Sequence, residues 1–247
     1  MMLMRNIRLD LCYDGTRYKG WQRLPGVDQT IQGKLEQTLS RILGEEVEIS
    51  GSGRTDAGAH ALGQVASFHC ESPMSCEEML VQLRRYLPED IGIYSCKEVA
   101  PRFHARLNAV TKTYRYRIWN SSEPCVFERR FVSVIPDRLN LEAMQVASRQ
   151  LLGEHDFSAF CANKKMKKST IRRIDSITLE RKGYEIVLTV TGNGFLYNMV
   201  RILVGTLVEV GRGERSAESL AMLFGAKREE AGFLAEAKGL CLMEVTY

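Results

Sequence analysis

The sequence predicts an α+β protein made of two halves that share one element order, β-α-β-β-α-β. Three observations predict it. Stretches that alternate apolar and polar residues are separated by stretches with apolar residues every three or four positions. The second kind carries helix start and stop signals at its ends. The order of the two kinds repeats once along 247 residues, a length suited to one large domain or two small ones.

Residues 5–13 place Ile7, Leu9, Leu11 and Tyr13 on one face and Arg8, Asp10 and Cys12 on the other, a strand. Residues 30–43 set Ile31, Leu35, Leu39 and Ile42 at helical spacing. Val47–Ser50 and Gln64–Cys70 are predicted strands. Ser75 with Glu78 forms a capping box, and Leu80, Leu83 and Leu87 follow on one helix face. Pro88 ends that helix before a strand at Ile91–Cys96. In the second half Thr111–Trp119 alternates strongly. Asn140 caps a helix carrying Leu141, Met144, Ala147 and Leu151. Ile174–Leu179 and Tyr184–Val190 form a hairpin around Lys182-Gly183. Phe195–Val210 is predicted as a long apolar helix and Leu242–Tyr247 as a closing strand. This is the split β-α-β arrangement of ferredoxin-like folds, twice over. The halves show no residue-level repeat, so only the element order is duplicated. The expected division is 1–105 and 106–247.

Composition narrows the class. With 45% hydrophobic and 26% charged residues the chain can build a globular core, which excludes disordered and fibrous classes. The seven Cys include no C-x-x-C pair, so neither a disulfide framework nor a zinc ribbon is indicated, and free thiols suit a reducing cytoplasm. The four His form no H-E-x-x-H pattern. Arg5 follows only four residues into the chain, which leaves no apolar signal core, and no window of 18 apolar residues exists. Neither a membrane nor a metal is expected. A net charge of +4 permits a nucleic-acid partner without requiring one.

Four stretches could carry chemistry. Gly51-Ser-Gly-Arg54-Thr-Asp56-Ala-Gly58-Ala-His60-Ala-Leu-Gly63 holds four glycines with Arg, Asp and His among them. Glycines let a backbone approach a ligand closely, yet the same composition serves a tight turn between two strands. It is no dinucleotide fingerprint, because Asp56 takes the third small position, and no G-K-[ST] phosphate loop exists. Second, residues 101–122 carry five Lys or Arg and no acid, with Tyr114, Tyr116 and Trp119 interleaved. Aromatics among arginines suit base stacking and phosphate contact. Strand geometry divides them: Tyr114, Tyr116 and Ile118 share one face and Arg115 and Arg117 the other, so they cannot all touch one ligand. A half-buried strand with its Tyr pair in the core is the plainer reading. Third, Arg201 falls in the apolar stretch after Gly194, where it either takes an anionic partner or extends along apolar surface to solvent. Last, residues 157–174 carry Lys164, Lys165, Lys167, Lys168, Arg172 and Arg173 and no acid, which leaves the rest of the chain at −2. That concentration fits an anionic polymer, or simply a solvated face.

Taken together, these stretches resemble the tRNA pseudouridine synthase A family. Tyr13-Asp-Gly-Thr-Arg-Tyr-Lys-Gly-Trp21-Gln22 is similar to its opening motif, Thr30–Glu36 to its first helix, and Gly51–His60 to its catalytic loop. Phe103-His-Ala-Arg106, Lys112-Thr-Tyr114-Arg-Tyr, Phe195-Leu-Tyr-Asn-Met-Val-Arg201 and the ending Gly239–Tyr247 follow in order, so the resemblance spans essentially the whole chain. Three features depart from the family pattern. Arg84 follows Leu83 where Asn is usual, Phe233 and Glu236 stand where prolines are usual, and the loop at 163–169 is short.

The resemblance implies two α/β halves joined through an antiparallel sheet, with the active-site cleft between them. It implies an isomerase that converts uridines at positions 38, 39 and 40 of the tRNA anticodon stem-loop to pseudouridine. The departures keep a second option open, a paralogue acting on other tRNA positions or another RNA. Carried over to this sequence, Asp56 is the nucleophile, Tyr114 stacks on the target uracil, Arg201 pairs with Asp56, and Arg54 helps to extrude the uridine. Lys164, Lys165, Lys167 and Lys168 would then hold phosphates. A cytoplasmic homodimer and the absence of any cofactor are implied with them.

Overall fold

A computed structural model describes residues 4–163 and 166–247. It divides into two compact units, one formed by the chain up to Val110 with Leu242–Tyr247, the other by Thr111–Cys241. Each is a mixed α+β unit.

The first unit runs β1 (Arg5–Tyr13), α1 (Ile31–Leu43), β2 (Ser50–Gly51), β3 (His60–Cys70), α2 (Cys76–Tyr86) and β4 (Ile91–Glu98). β1 is central, antiparallel to β3 on one side and to β4 on the other, with Leu9 opposite both Ala66 and Cys96. β2 pairs with the outer side of β3. The alternation of β1 puts Ile7, Leu9 and Leu11 fully inside. α1 buries Ile31, Leu35 and Leu39 in the same core, and α2 buries Met79 and Leu83. Each such side chain contributes about 1.5–3 kcal/mol when buried.

The helix starts follow the sequence signals. The Thr30 side chain accepts from Gly33 N–H, and Ser75 with Glu78 forms the full capping box. Two expectations shift. Met79, not Leu80, leads the buried face of α2. The strand expected at Val47–Ser50 shrinks to β2, because the side chains of α1 take its donors: Val47 N–H donates to Ser40 Oγ at 3.0 Å and Ile49 N–H to Glu36 Oε1 at 2.9 Å. The unusual Arg84 clasps α2 to β4, donating to the carbonyls of Ile93 and Tyr94 at 3.0 and 3.2 Å.

The second unit holds β5 (Thr111–Trp119), β6 (Ser133–Val134), α3 (Leu141–Arg149), β7 (Gly153–Asp156), β8 (Ile171–Lys182), β9 (Glu185–Gly192) and α4 (Met199–Arg212). Its strand order is β5-β9-β8-β7, all antiparallel, with β6 parallel to the end of β5. β6 and β7 are too short to show a period in the sequence. The predicted hairpin is β8 and β9, turned by Gly183 at φ +60°. Tyr116 is fully buried and its hydroxyl donates to the Glu236 carbonyl at 2.7 Å, so it belongs to the core.

The apolar stretch at 195–210 becomes a helix only from Met199. Asn198 sits in the left-handed region at φ 62°, which breaks the helical path before it. From there α4 is buried nearly all round, as its composition requires. The chain closes with β10 (Leu240–Thr246), which runs beside β3. Gly63 lies so close to the Met243 carbonyl that no Cβ fits. Among the described residues no helix is long and apolar enough to cross a membrane.

Candidate active site

In the first unit the residues from Ser52 to Ala59 form a loop between β2 and β3, with Asp56 near its apex. The segment after β1 holds that loop from outside. Trp21 N–H donates to the Thr55 carbonyl at 3.1 Å, and Gly58 N–H donates to the Tyr18 carbonyl at 3.2 Å. The Tyr13 and Thr55 hydroxyls are 2.7 Å apart, and Gly15 N–H donates to His60 Nδ1 at 3.0 Å. Gln64 completes the frame from β3: its amide donates to the Gly53 carbonyl at 3.0 Å and its Oε1 accepts from Ser52 Oγ at 2.6 Å. Gln64 is fully buried, so these bonds act where water does not compete.

The glycines here answer to space. A Cβ on Gly51 would enter the Trp21 ring, and one on Gly15 would overlap the Ala59 carbonyl. The backbone therefore fixes where Asp56 stands. Its carbonyl accepts from Ala59 N–H at 3.1 Å, closing the turn, while the side chain is half-buried. Arg54 is exposed on the same loop.

In the second unit Tyr114 lies on β5 opposite Val190 and is buried. The Phe195 ring meets it edge-on, with centroids 5.1 Å apart and planes at 82°. Arg201 is half-buried on the first turn of α4. Its Nε donates to the Ala235 carbonyl at 2.7 Å, and its Nη1 contacts Asn198 Oδ1 at 3.3 Å. The segment carrying Ala235 is laced to α4 by Gly232 N–H on Thr206 Oγ1 at 2.9 Å and by Phe233 N–H on Glu209 Oε1 at 3.1 Å. A proline at 233 would lack that last donor.

Lys167 and Lys168 are exposed between Met166 and Ser169, and Lys164 and Lys165 lie outside the described residues. Of their basic neighbours, Arg173 donates to Asp175 at 2.7 Å and Arg172 to the Ser169 and Ile171 carbonyls. Among the described residues no group of three His, Cys, Asp or Glu side chains is placed to hold a metal ion.

A family model described as tRNA pseudouridine synthase matches residues 12–108 and 147–247. The chain belongs to that family.

Its relatives agree over full length. It is 44% identical over 245 residues to tRNA pseudouridine synthase A 2 of Bacillus anthracis, covering 99% of this chain and 100% of the relative. It is 47% identical to tRNA pseudouridine synthase A of Bacillus sp. (strain KSM-64) and 45% identical to that of Pelobacter propionicus, each over 245 residues with the same coverage. The protein is thus a pseudouridine synthase family member, an isomerase of uridine. Asp56, Arg54, Arg201 and the four lysines fall inside the matched segments, whereas Tyr114 falls between them.

Reading the residues alone gave no role to Gln64, Trp21 or Phe195. Gln64 acts through its side-chain amide on the loop, Trp21 through a backbone bond to Thr55, and Phe195 through one ring contact. Composition and spacing carry no sign of either. Only the motifs that contain Trp21 and Phe195 drew attention to their segments.

Proposed function

We propose that the protein converts uridines at positions 38, 39 and 40 of the tRNA anticodon stem-loop to pseudouridine, with Asp56 as nucleophile and without a cofactor. The reaction breaks the glycosidic N1–C1′ bond, turns the uracil, and joins C5 to C1′. The C5 proton leaves and N1 gains one, so atoms balance with no oxidation and no second substrate.

The observation that carries this reading is the clamped loop. Asp56 is a half-buried carboxylate at the apex of a turn whose backbone is tied to Tyr18, Trp21 and Gln64, inside a family-matched segment. A nucleophile needs that placement: reachable by the substrate, and held still. In this reading Arg201 supplies the cation that favours an ionised carboxylate. Tyr114, braced by Phe195, offers its ring to the target base once that base has left its stack. Arg54, exposed beside Asp56, assists extrusion. Lys164, Lys165, Lys167 and Lys168 hold phosphates, which fixes register without reading sequence. The protein works as a homodimer in the cytoplasm.

The test is release of tritium from unmodified transcribed tRNA labelled at uracil C5, in the presence of EDTA, with carbodiimide mapping of the product. Release with product at positions 38, 39 and 40 supports the reading. Release with product elsewhere replaces it with a synthase of other positions, and no release from tRNA that is bound rejects it.

A further inference from the structure

The segment between β5 and β6 holds an aromatic side chain in solvent. Phe127 is 92% exposed, and its neighbour Val126 is 57% exposed. The loop that carries them is nevertheless pinned on both sides. On one side Trp119 Nε1 donates to the Glu123 carbonyl at 2.9 Å. On the other the Glu128 carboxylate accepts from Arg117 Nη2 at 2.8 Å, and Arg117 is itself held by both oxygens of Glu185 at 2.7 and 2.6 Å. Between the pins Arg129 Nη1 donates to the Val126 carbonyl at 2.6 Å, and Phe131 N–H donates to the Glu128 carbonyl at 2.8 Å. The turn is built, and it presents Phe127 outward.

We infer that Phe127 is a stacking platform for an unpaired base of the RNA substrate, with the exposed Arg129 and Arg130 contacting the phosphates on either side. This rests on the proposed action on tRNA. The chemistry of the tip favours a nucleic acid strand. Arg117 ties the Glu128 carboxylate back toward β5, although that side chain stays 44% exposed, and the tip presents an aromatic ring with two exposed arginines two and three residues on. Aromatic rings among arginines are the usual platform for unpaired bases, because every base offers a π-face. A second copy of this chain is a poorer occupant. One Phe and one Val cover far less than the roughly 800 Å² per partner that a stable interface buries.

The test compares wild type, Phe127→Ala and Phe127→Trp in titrations with transcribed tRNA at several salt concentrations, with sedimentation velocity and tritium release run in parallel. Phe127 touches no core, so Phe127→Ala folds as wild type does, which a thermal melt checks. The expected result is affinity lower by about 5- to 100-fold for Phe127→Ala, with the slope of log affinity against log salt unchanged, since stacking is uncharged. Phe127→Trp binds as wild type does, and its added fluorescence is quenched saturably by the tRNA. Wild-type affinity in Phe127→Ala, with tritium release intact, overturns the platform and leaves the proposed function standing. A fall of Phe127→Ala to half the wild-type mass, with affinity per subunit unchanged, overturns it in favour of a second copy on the tip. Wild type that neither binds tRNA nor releases tritium overturns both.

Discussion

Arg201 and Ala235 are joined by two hydrogen bonds that run in opposite directions. The Arg201 Nε donates to the Ala235 carbonyl at 2.7 Å, and the Ala235 N–H donates to the Arg201 carbonyl at 3.3 Å. The first bond uses the one guanidinium nitrogen that points back along the side chain, and so sets the direction of the other two. Lysine keeps the charge but has no equivalent of that fork. Arg201→Lys is expected to lower kcat on the order of 10²-fold, as losing one preorganised cationic or donor group does elsewhere. Affinity for tRNA should stay within about threefold, because phosphate contacts dominate it. Equal kcat for Arg201→Lys and wild type in the tritium assay would remove Arg201 from the machinery.

Asp56→Asn keeps the size of the side chain and the carbonyl bond from Ala59 N–H. It removes the negative charge on which the proposed nucleophile depends. Turnover is expected to vanish while tRNA binding changes by less than about tenfold. A variant with full turnover would refute the assignment.

How much of this was legible beforehand varies with the physics involved. β1, β5 and the hairpin at Gly183 were readable because alternation is local and strong. α1 and α2 were readable because Thr30, Ser75 and Glu78 announce their starts. The start of α4 was not, since an apolar run has the same composition whether helical or not, and only the left-handed Asn198 decides where the helix begins. The loss of the strand at Val47–Ser50 was equally invisible, because it depends on Ser40 and Glu36 side chains reaching across from α1. In the candidate site, Asp56 stood out through its glycine-rich surroundings, and its role came from the resemblance. The supports of its loop did not stand out. Gln64 bonds a carbonyl eleven residues away, and a single sequence carries no trace of such a pairing.

Gly15 tests those supports without touching the carboxylate. A methyl group there overlaps the Ala59 carbonyl, and backbone cannot yield as a flexible side chain would. Gly15→Ala is expected to cost roughly 1–3 kcal/mol of stability and to lower turnover by displacing the loop. Urea melts and the tritium assay check both. A variant as stable and as active as wild type would show that the contact between Gly15 and the loop at Ala59 is loose.

Cys96 makes a prediction in pH. Burial pushes its thiol well above the usual range, and nearby Cys76 and Cys70 push the same way. The folded state thus favours the neutral thiol, while an unfolded chain ionises near pH 8.5. Stability from this group is full below that pH and is lost as pH rises above it, since the unfolded state then releases a proton that the folded state keeps. Cys96→Ala should flatten the decline in melting temperature between about pH 8.5 and pH 10. In native protein at pH 8, iodoacetamide should label Cys96 much more slowly than it does in urea-unfolded protein, as peptide masses would report. Labelling of Cys96 in native protein as fast as in the unfolded chain would contradict the raised thiol.

The basic stretch predicts a salt dependence. Lys167 and Lys168 are exposed, and the nearby Arg172 and Arg173 are engaged within the protein, by backbone carbonyls and by Asp175. The lysines, not the arginines, are therefore the charges most available to phosphate. Replacing Lys164, Lys165, Lys167 and Lys168 together by Gln should weaken tRNA binding. It should also flatten the slope of log affinity against log salt by about 0.7–0.9 for each phosphate no longer neutralised. Arg173→Gln should change the slope much less, because Asp175 already occupies that guanidinium. An unchanged slope in the fourfold variant would mean that these lysines face solvent in the complex, and would move the phosphate-binding surface elsewhere on the protein.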